Sequence, residues 1–292
     1  MEANKLTLTT DYAFKKVFGS YGNERILKSF LEAILNKTIT DVRVLNPEMP
    51  KEIQNGKECI LDVKAKIDGK EIVNIEMQVV KNGDMVKRSL YYFSRIFGFE
   101  LKEGESYDST QKVIVINILD YVQYNRNAYH SVAKLFFDKT NPKRYIDMNV
   151  LEEDTLATDF IEMHFIELPK FKKKYPKIES ALEEWLTLFV TQGKNNMTKD
   201  IEERVEEIRE AEKELQRLRM DRVAFEEYES RQKWLHDQAS ALEYATKTGK
   251  AEGEKTKSIE VAKELIKEGM TVEFISKVTK LSLEEINKLV EN

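Results

Sequence analysis

Hydrophobic and polar positions follow two different periods in the first 195 residues. Apolar residues recur every three or four positions in segments that this spacing predicts to be helices, at residues 10–19, 24–36, 85–99 and 179–190. Shorter apolar segments predict strands at residues 41–45, a hairpin within 59–80, and strands at 112–119, 132–137 and 161–168. Helices and strands in this order predict an α/β fold, a mixed sheet flanked by helices.

The pattern changes near residue 195, beyond which the chain is almost continuously helical. Residues 200–237 are rich in Glu, Arg and Lys with sparse apolar positions, which predicts a long charged helix. Two glycines within residues 249–255 indicate a hinge, and residues 256–292 have the pattern of a short helical tail. We therefore expect two parts, residues 1–195 and a helical appendage over 196–292.

Composition narrows the class of protein. Charged residues make up 34% and hydrophobic residues 41% of the 292 residues, as in a soluble protein with exposed helices. No run reaches the ~18 apolar residues of a membrane span, and the first ten residues lack an apolar signal segment, so we expect a cytoplasmic protein with no membrane contact. The single cysteine, Cys59, excludes an internal disulfide and a cysteine-built zinc site.

Charge differs between the two parts. Residues 196–292 contain 23 acidic and 18 basic side chains, which leaves 29 of each in residues 1–195. A net-acidic chain does not bind polyanions through its overall charge, so any nucleic-acid contact must come from local basic patches.

The predicted hairpin carries Asp62, Glu76 and Gln78 among apolar neighbours. Glu76 and Gln78 share one face because side chains alternate along a strand. A two-residue turn at 68–69 would put the two carboxylates on opposite faces. A three-residue loop brings them to one face, over residues 67–69 or over residues 68–70, and the second places Asp62 directly opposite Glu76.

Two adjacent carboxylates repel each other and are stabilised by a shared proton or cation. Mg²⁺ binds through one or two carboxylates together with waters and phosphate oxygens, and such an ion can activate water against a phosphodiester. Gln78 could hydrogen-bond the attacking water or a phosphate oxygen, but it supplies no positive charge. The alternative interpretation is an exposed polar face balanced by Lys64 and Lys66.

Five blocks in chain order resemble a known family. They are TDYAFKKVFG at 10–19, ILDVKA at 60–65, NIEMQ at 74–78, RSLYY at 88–92 and ELPKF at 167–171. The core spacing, Asp-x(13)-Glu-x-Gln, resembles the PD-(D/E)XK nuclease superfamily. The blocks together, over about residues 8–190, resemble its recombination-promoting nuclease/putative transposase family, in which Gln takes the usual lysine position.

The resemblance implies a restriction-endonuclease-like fold in residues 1–195 and a metal-dependent DNA endonuclease with Mg²⁺ or Mn²⁺ as cofactor. Recombination or the mobility of mobile elements would be its setting. Asp62 and Glu76 are then the metal ligands, with the Met77 carbonyl as a further ligand, and Gln78 occupies the lysine position.

An additional acidic group on the first helix is also implied, and Asp11 is the best candidate, ahead of Glu24 and Glu32. Asp11 stands at a predicted helix start, where a carboxylate caps backbone N–H groups and complements the helix dipole. Either helix capping or a catalytic role therefore explains an aspartate at position 11.

Basic side chains indicate where DNA phosphates could bind. Arg88 and Arg95 lie at helical spacing within 85–99, and Lys170, Lys172, Lys173 and Lys174 belong to a lysine-rich run with aromatic residues. Such a run can form a sequence-independent phosphate clamp, and the alternative is a solubilising loop.

The C-terminal tail has the rhythm of a helix-turn-helix over residues 271–289. Its second helix carries Glu284, Glu285 and Glu291 with one lysine, whereas a helix that binds the major groove is usually basic. We interpret the tail as a packing or self-association module through which a homo-oligomer could form.

Two other functions remain open on the sequence. The chain could be a catalytically weak or inactive DNA-binding or assembly protein on the same fold, because Gln in the lysine position removes a charge near the transition state. It could also be a structural interaction protein built on the charged helix.

Overall fold

A six-stranded sheet lies at the centre of the first 225 residues. The structure, a computed structural model, describes residues 6–45, 63–81, 83–100, 106–136, 156–174, 177–191 and 196–290. Its contacts divide the chain into two units, Met1–Phe225 and Glu226–Asn292. The strands are β1 (Val42–Leu45), β2 (Val63–Ile67), β3 (Glu71–Gln78), β4 (Lys112–Leu119), β5 (His130–Phe136) and β6 (Leu156–Glu167). They are arranged in the order β1-β2-β3-β4-β6-β5.

The sheet is mixed, as the sequence predicts. β1, β2 and β3 are antiparallel neighbours, β3, β4 and β6 run parallel, and β5 pairs antiparallel with β6. β4 has the predicted bounds and is buried along almost its whole length, because a central parallel strand is covered on both faces.

Helices cover both faces of this sheet. The helices are α1 (Asp11–Gly19), α2 (Glu24–Leu35), α3 (Met85–Glu100), α4 (Leu168–Lys174), α5 (Ala181–Thr191), α6 (Asn196–Arg204), α7 (Glu206–Met220), α8 (Arg222–Lys267), α9 (Val272–Thr279) and α10 (Leu283–Val290). On one face α3 packs through Met85 and Ile96 against Ile72, Val113 and Phe165. The opposite face is flanked by α2 and α5, which are joined to α1 by an aromatic cluster of Phe14, Phe18, Phe30, Trp185 and Phe189.

The β2–β3 hairpin closes with a three-residue loop over residues 68–70. Ile67 pairs with Glu71, and the backbone N–H of Lys70 donates to the Ile67 carbonyl over 3.1 Å. Asp68 and Gly69 have φ values of 49° and 65°, in the left-handed region that Gly and Asp tolerate best. The loop is therefore the odd-length one over 68–70.

The Asp68 side chain joins this loop to the preceding strand. Its carboxylate accepts hydrogen bonds from the Thr40 hydroxyl at 2.6 Å and from the backbone N–H groups of Thr40 and Asp41 at 2.8 and 2.9 Å. These bonds favour the charged form and lower the pKa of Asp68 to about 2.

Helices α6 and α7 belong to the first unit, although the predicted boundary lies near residue 195. Their buried side chains include Ile201, Ile208, Leu215 and Leu218. The guanidinium of Arg219 also donates to the Leu6 carbonyl over 2.8 Å. These contacts explain why the division falls after Phe225, about 30 residues beyond the change in composition.

The second unit contains most of α8 together with α9 and α10. The expected long helix over 200–237 is divided among α6, α7 and α8, and the hinge expected at 249–255 lies inside α8, which continues through both glycines. Ala262, Ile275, Leu281 and Ile286 form a small core between α8, α9 and α10.

We expect Asp68→Asn to reduce thermal stability near neutral pH. Because the folded-state pKa is lowered to about 2 from 3.8, the contribution of this carboxylate is complete above the unfolded-state value and disappears as the pH falls through 3.8 to about 2. Asn keeps the tolerance for left-handed backbone. Thermal unfolding between pH 6 and pH 2 should show the difference from wild type shrinking with acid, whereas the exposed Asp159→Asn control should show no such trend.

We expect a chain ended after Phe225 to unfold cooperatively and a chain ended at residue 194 to be much less stable. Ile201, Ile208, Leu215 and Leu218, the large buried apolar side chains of α6 and α7, together contribute about 6–12 kcal/mol at most, comparable with the ~5–15 kcal/mol net stability of a domain. Urea unfolding and limited proteolysis of the two truncated chains measure the difference. Equal stability would show that α6 and α7 are dispensable.

Candidate active site between strand β3 and helix α3

Glu76 is a buried carboxylate on the sheet face that α3 covers. It is 1% exposed, and in the sheet it pairs with Asn117 of β4. The Asn74 amide, two residues earlier on the same face, donates to Glu76 Oε1 over 3.1 Å. An ionised carboxylate at this depth requires compensating hydrogen bonds and positive charge, so the neighbours of Glu76 determine what it can bind.

Positive charge reaches Glu76 from helix α3. The Arg88 guanidinium lies 3.6 Å from Glu76 Oε2, and the same guanidinium donates to Gln78 Oε1 over 3.0 Å. Glu76 and Gln78 therefore share one face and one cationic neighbour. Gln78 is at the rim, partly exposed, where β3 ends.

Tyr92 fixes the position of Arg88. It lies one helical turn further along α3, where Arg88 Nε donates to its hydroxyl over 2.8 Å, and the guanidinium lies 5.3 Å from the centre of its ring. The i,i+4 spacing on a helix makes this contact possible. Tyr92 is itself buried with Met85 and Ile96 on the inner side of α3, so the arginine is held by a side chain of the core.

A hydrogen-bonded pair next to Glu76 links α3 to the centre of the sheet. The Ser89 hydroxyl donates to Asn117 Oδ1 over 3.1 Å and is also within 2.8 Å of the Met85 carbonyl, while the Asn117 amide donates to the His164 carbonyl over 3.0 Å. Both residues are fully buried. This pair keeps the beginning of α3, and with it Arg88, aligned on β3 and β4.

The oxygen atoms at Glu76 suit a hard divalent cation that is bound by few protein ligands. The carboxylate of Glu76 is an oxygen donor of the kind that Mg²⁺ and Mn²⁺ prefer, and Mg²⁺ needs only one or two carboxylates beside water and phosphate. Among the described residues, no three His, Cys, Asp or Glu side chains converge on one metal position. Asp62, the predicted second carboxylate, lies outside the described residues. Met77 lies between Glu76 and Gln78, with its side chain buried on the other face.

Asp11, the candidate for an additional acidic group, begins α1. Its carboxylate lies 3.7 Å from the ammonium of Lys15, one helical turn away. Thr10 precedes it as the N-cap residue, and its side chain makes no capping hydrogen bond. α1 packs against β2 and β3. Helix-dipole stabilisation and a catalytic role both remain predictions for this residue. Of the less favoured candidates, Glu24 accepts from the Gly22 N–H and Glu32 from the Ile39 N–H.

The basic residues predicted to contact DNA differ in how accessible they are. Arg95 lies two helical turns after Arg88 on α3 and is half-buried. The lysine run forms helix α4, not a loop. Its Lys172, Lys173 and Lys174 are exposed, but Lys174 pairs with Glu183 at 2.5 Å. The side chain of Lys170 is 7% exposed and forms an ion pair with Glu167.

Lys172 also connects α4 electrostatically with the end of strand β4. Partial burial raises the pKa of Asp120, and Lys172 opposes this rise. The Asp120 backbone N–H donates to the Gln78 carbonyl over 2.9 Å. One exposed lysine of α4 thus interacts electrostatically with Asp120, the residue whose backbone is hydrogen-bonded to Gln78.

A second buried polar cluster lies on the opposite face of the sheet. His164 bridges Glu162 at 2.8 Å and His130 at 2.9 Å, and Lys112 is 2.7 Å from Glu162. Burial and the nearby His164 lower the pKa of His130 to about 4, so His130 is neutral at physiological pH. Glu76 pairs with Asn117 of β4, and Glu162 pairs with Ile114 of the same strand. Positions 114 and 117 are an odd number of residues apart, so the two glutamates lie on opposite faces of the sheet.

Sequence reasoning did not assign Asn74 or Tyr92 to the site. Asn74 shares the alternation of Glu76 and Gln78, which was the available signal for a residue next to Glu76. Tyr92 lies at i,i+4 from Arg88, a spacing that also suits a packing residue. In the structure Tyr92 both packs in the core and accepts a hydrogen bond from Arg88. The contact of Arg88 with Gln78 joins residues ten positions apart on different elements, so no local pattern indicates it.

Comparisons with known proteins bear on this arrangement. The model of one protein family, described as PD-(D/E)XK nuclease family transposase, matches residues 8–245. Searches of curated proteins and of solved structures gave no significant match. In the described part of the chain, no helix has the length and apolar character needed to cross a bilayer. The six-stranded mixed sheet with its flanking helices agrees with the restriction-endonuclease-like fold of the superfamily. With four fifths of its length matched, the chain belongs to the family of PD-(D/E)XK nuclease family transposases.

Proposed function

We propose that the protein is a metal-dependent DNA endonuclease that hydrolyses phosphodiester bonds. It would act in the cytoplasm, in recombination or the movement of mobile elements. The observation that carries the proposal is Glu76, a buried carboxylate that shares a sheet face with Gln78 and lies beside Arg88. The loop over residues 68–70 adds support, because it is one of the two odd-length loops that let Asp62 share the face of Glu76.

Each side chain has a distinct task in this proposal. Asp62 and Glu76 hold a divalent ion, Mg²⁺ or Mn²⁺, with the Met77 carbonyl as a further ligand. When bound, the ion supplies positive charge that activates water and neutralises the phosphate. Asn74 fixes one oxygen of Glu76 through its amide, as residues behind metal ligands commonly do. Asp11 remains the candidate for an additional acidic group near the ligands.

The reaction is a hydrolysis that needs no redox partner. The oxygen of water forms a bond to phosphorus, and the bond between phosphorus and one sugar oxygen breaks. The water loses a proton to solvent, and the leaving sugar oxygen takes up one. Gln78 contributes a carboxamide dipole near the reacting group, where it can orient water or a phosphate oxygen.

DNA would be held mainly through its phosphates. Lys172 and Lys173 offer charge at the surface, Arg95 is half-buried, and Lys172 interacts electrostatically with Asp120 at the end of β4. Lys170 and Lys174 would have to leave their partners Glu167 and Glu183 to contact DNA. We therefore assign the larger share of phosphate contact to Lys172 and Lys173. Such binding should weaken steeply with salt.

Removing either carboxylate should abolish cleavage. Glu76→Gln and Asp62→Asn each delete a negative charge that the ion requires, so we expect a loss of about 1,000-fold or more in the nicking of supercoiled DNA with Mg²⁺ or Mn²⁺. EDTA should have the same effect on wild type, and Asp159→Asn, an exposed carboxylate of β6, should cleave normally. Binding of DNA without any cleavage by wild type would instead favour an inactive DNA-binding protein on this fold.

Gln78→Ala should weaken cleavage by about 10- to 100-fold, because it removes a dipole at the reacting group and the acceptor that orients Arg88. Metal affinity should change little, since Gln78 bears no charge. Single-turnover rates across a Mg²⁺ titration, together with Mn²⁺ binding by calorimetry, separate the two effects. Cleavage curves identical to those of wild type would remove Gln78 from the site.

A further inference from the structure

We propose that Arg88 is a catalytic residue that supplies the positive charge missing from position 78, and is not one of several general phosphate contacts. The inference rests on the proposed nuclease function and concerns the same site. It assigns to a residue of helix α3 the task that a lysine two residues after Glu76 would otherwise perform.

The need for this charge follows from the chemistry of the reaction. Negative charge develops on the phosphate oxygens and on the leaving oxygen as the phosphodiester is cleaved. A carboxamide at position 78 offers only a dipole, whereas a positioned arginine in phosphoryl transfer can be worth about 1,000-fold or more in rate. A site built with Gln78 is therefore slow unless another cation reaches the same place.

Arg88 reaches that place in the structure. One of its nitrogens lies 3.0 Å from Gln78 Oε1, so its positive charge lies next to the end of the side chain at position 78. Another lies 3.6 Å from Glu76 Oε2. The guanidinium thus lies between the carboxylate that would hold the metal and the residue that would face the reacting group.

The restraint on Arg88 distinguishes it from an arginine that only attracts DNA. Tyr92 accepts a hydrogen bond from Arg88 Nε and lies against the guanidinium. Together with Gln78 and Glu76, it fixes one conformation of the arginine. Its side chain remains 35% exposed, which leaves the group accessible to a phosphate. A fixed but accessible cation is what transition-state stabilisation requires, because no reorganisation is needed during the reaction.

Lys64 is the rival cation. It pairs with Asn74 across the hairpin, so it belongs to the same face as Glu76, and it is almost fully buried. Its strand position is four residues from that of Gln78 along the ladder, whereas Arg88 contacts Gln78 directly. Experiment can separate the two, because each can be replaced by Met with a similar stem.

The position of Arg88 beside Glu76 has an effect on metal binding that a DNA contact would not have. A guanidinium and a divalent cation compete for one carboxylate because both are positive. Removing Arg88 should therefore tighten the binding of the metal while it slows cleavage. A residue that only attracts DNA would slow cleavage at low DNA concentration and leave metal affinity unchanged.

The first test compares Arg88→Met with wild type in the full chain. We expect the Mn²⁺ dissociation constant, measured by calorimetry without DNA, to fall about three- to tenfold. The single-turnover rate at saturating DNA and Mn²⁺ should fall about 100-fold or more. Lys87→Met, which removes an exposed charge from the same helical turn, should change neither quantity. Arg88→Lys, which keeps a charge, should recover part of the rate and checks that loss of folding is not the cause.

The second test moves the charge from α3 to β3. Gln78→Lys alone should be slow, because it loses the acceptor for Arg88 and places a second cation next to it. The double variant Gln78→Lys with Arg88→Met should cleave at least about tenfold faster than Arg88→Met alone. Such a rescue is expected only if the two positions deliver charge to the same point. Tyr92→Phe, which keeps the ring, should lower the rate at saturation with little change in KM for DNA.

The outcomes separate this inference from the proposed function. If wild type cleaves and Arg88→Met cleaves equally fast at saturating DNA, the role of Arg88 is overturned while the nuclease stands. Unchanged Mn²⁺ affinity in Arg88→Met, absence of rescue by Gln78→Lys, or a rate loss in Lys64→Met with none in Arg88→Met also overturns it. If wild type cleaves no DNA with either metal, both proposals are overturned.

Discussion

The length of one loop controls which side chains of β2 share the sheet face of Glu76. The side chains of a strand alternate, so a hairpin with one residue more or fewer between β2 and β3 would turn every partner to the other face of the sheet. Asp68 and Gly69 adopt left-handed backbone, and the Asp68 carboxylate binds three donors at the start of β1. The chain thus stabilises the odd-length loop from two directions, by backbone tolerance and by hydrogen bonding outside the hairpin.

Polar groups lie on that face beneath helix α3, at positions set by the parallel pairing of β3 with β4. Glu76, Asn74, Asn117 and Ser89 are buried where a sheet would ordinarily place apolar residues. Buried polar groups stabilise a fold only when they are paired, and here the partners come from three elements, β3, β4 and α3. The helix is therefore held on the sheet in part by Glu76, the carboxylate that we propose as a metal ligand. Substitutions at these positions should affect stability and activity together, so activity data need a folding control.

Charge near the site is largely compensated within the protein. Glu76 lies beside Arg88, Glu167 beside Lys170, and Glu183 beside Lys174, while Lys172 and Lys173 remain exposed. Such pairing suits a chain with a net charge of −5 that must still approach a polyanion. Among the described residues, the exposed charges that we propose for DNA contact are those of Lys172 and Lys173. A metal ion that neutralises Glu76 would add to their attraction for DNA.

The sequence by itself determined most elements of the first 195 residues and the facial pairing of Glu76 with Gln78, because both depend on periods of two or about 3.6 residues within one segment. It predicted β4 at its observed bounds and the mixed sheet, and its motif blocks indicated the family. Only the tertiary structure decided the loop over 68–70, the contact of Arg88 with Gln78, the pairing of His130 with His164, and the packing of α6 and α7 on the first unit. Periodicity reports the surroundings of a residue within its own element. Register, ion pairs and unit boundaries depend on which distant surfaces become neighbours, and this is settled by packing between elements.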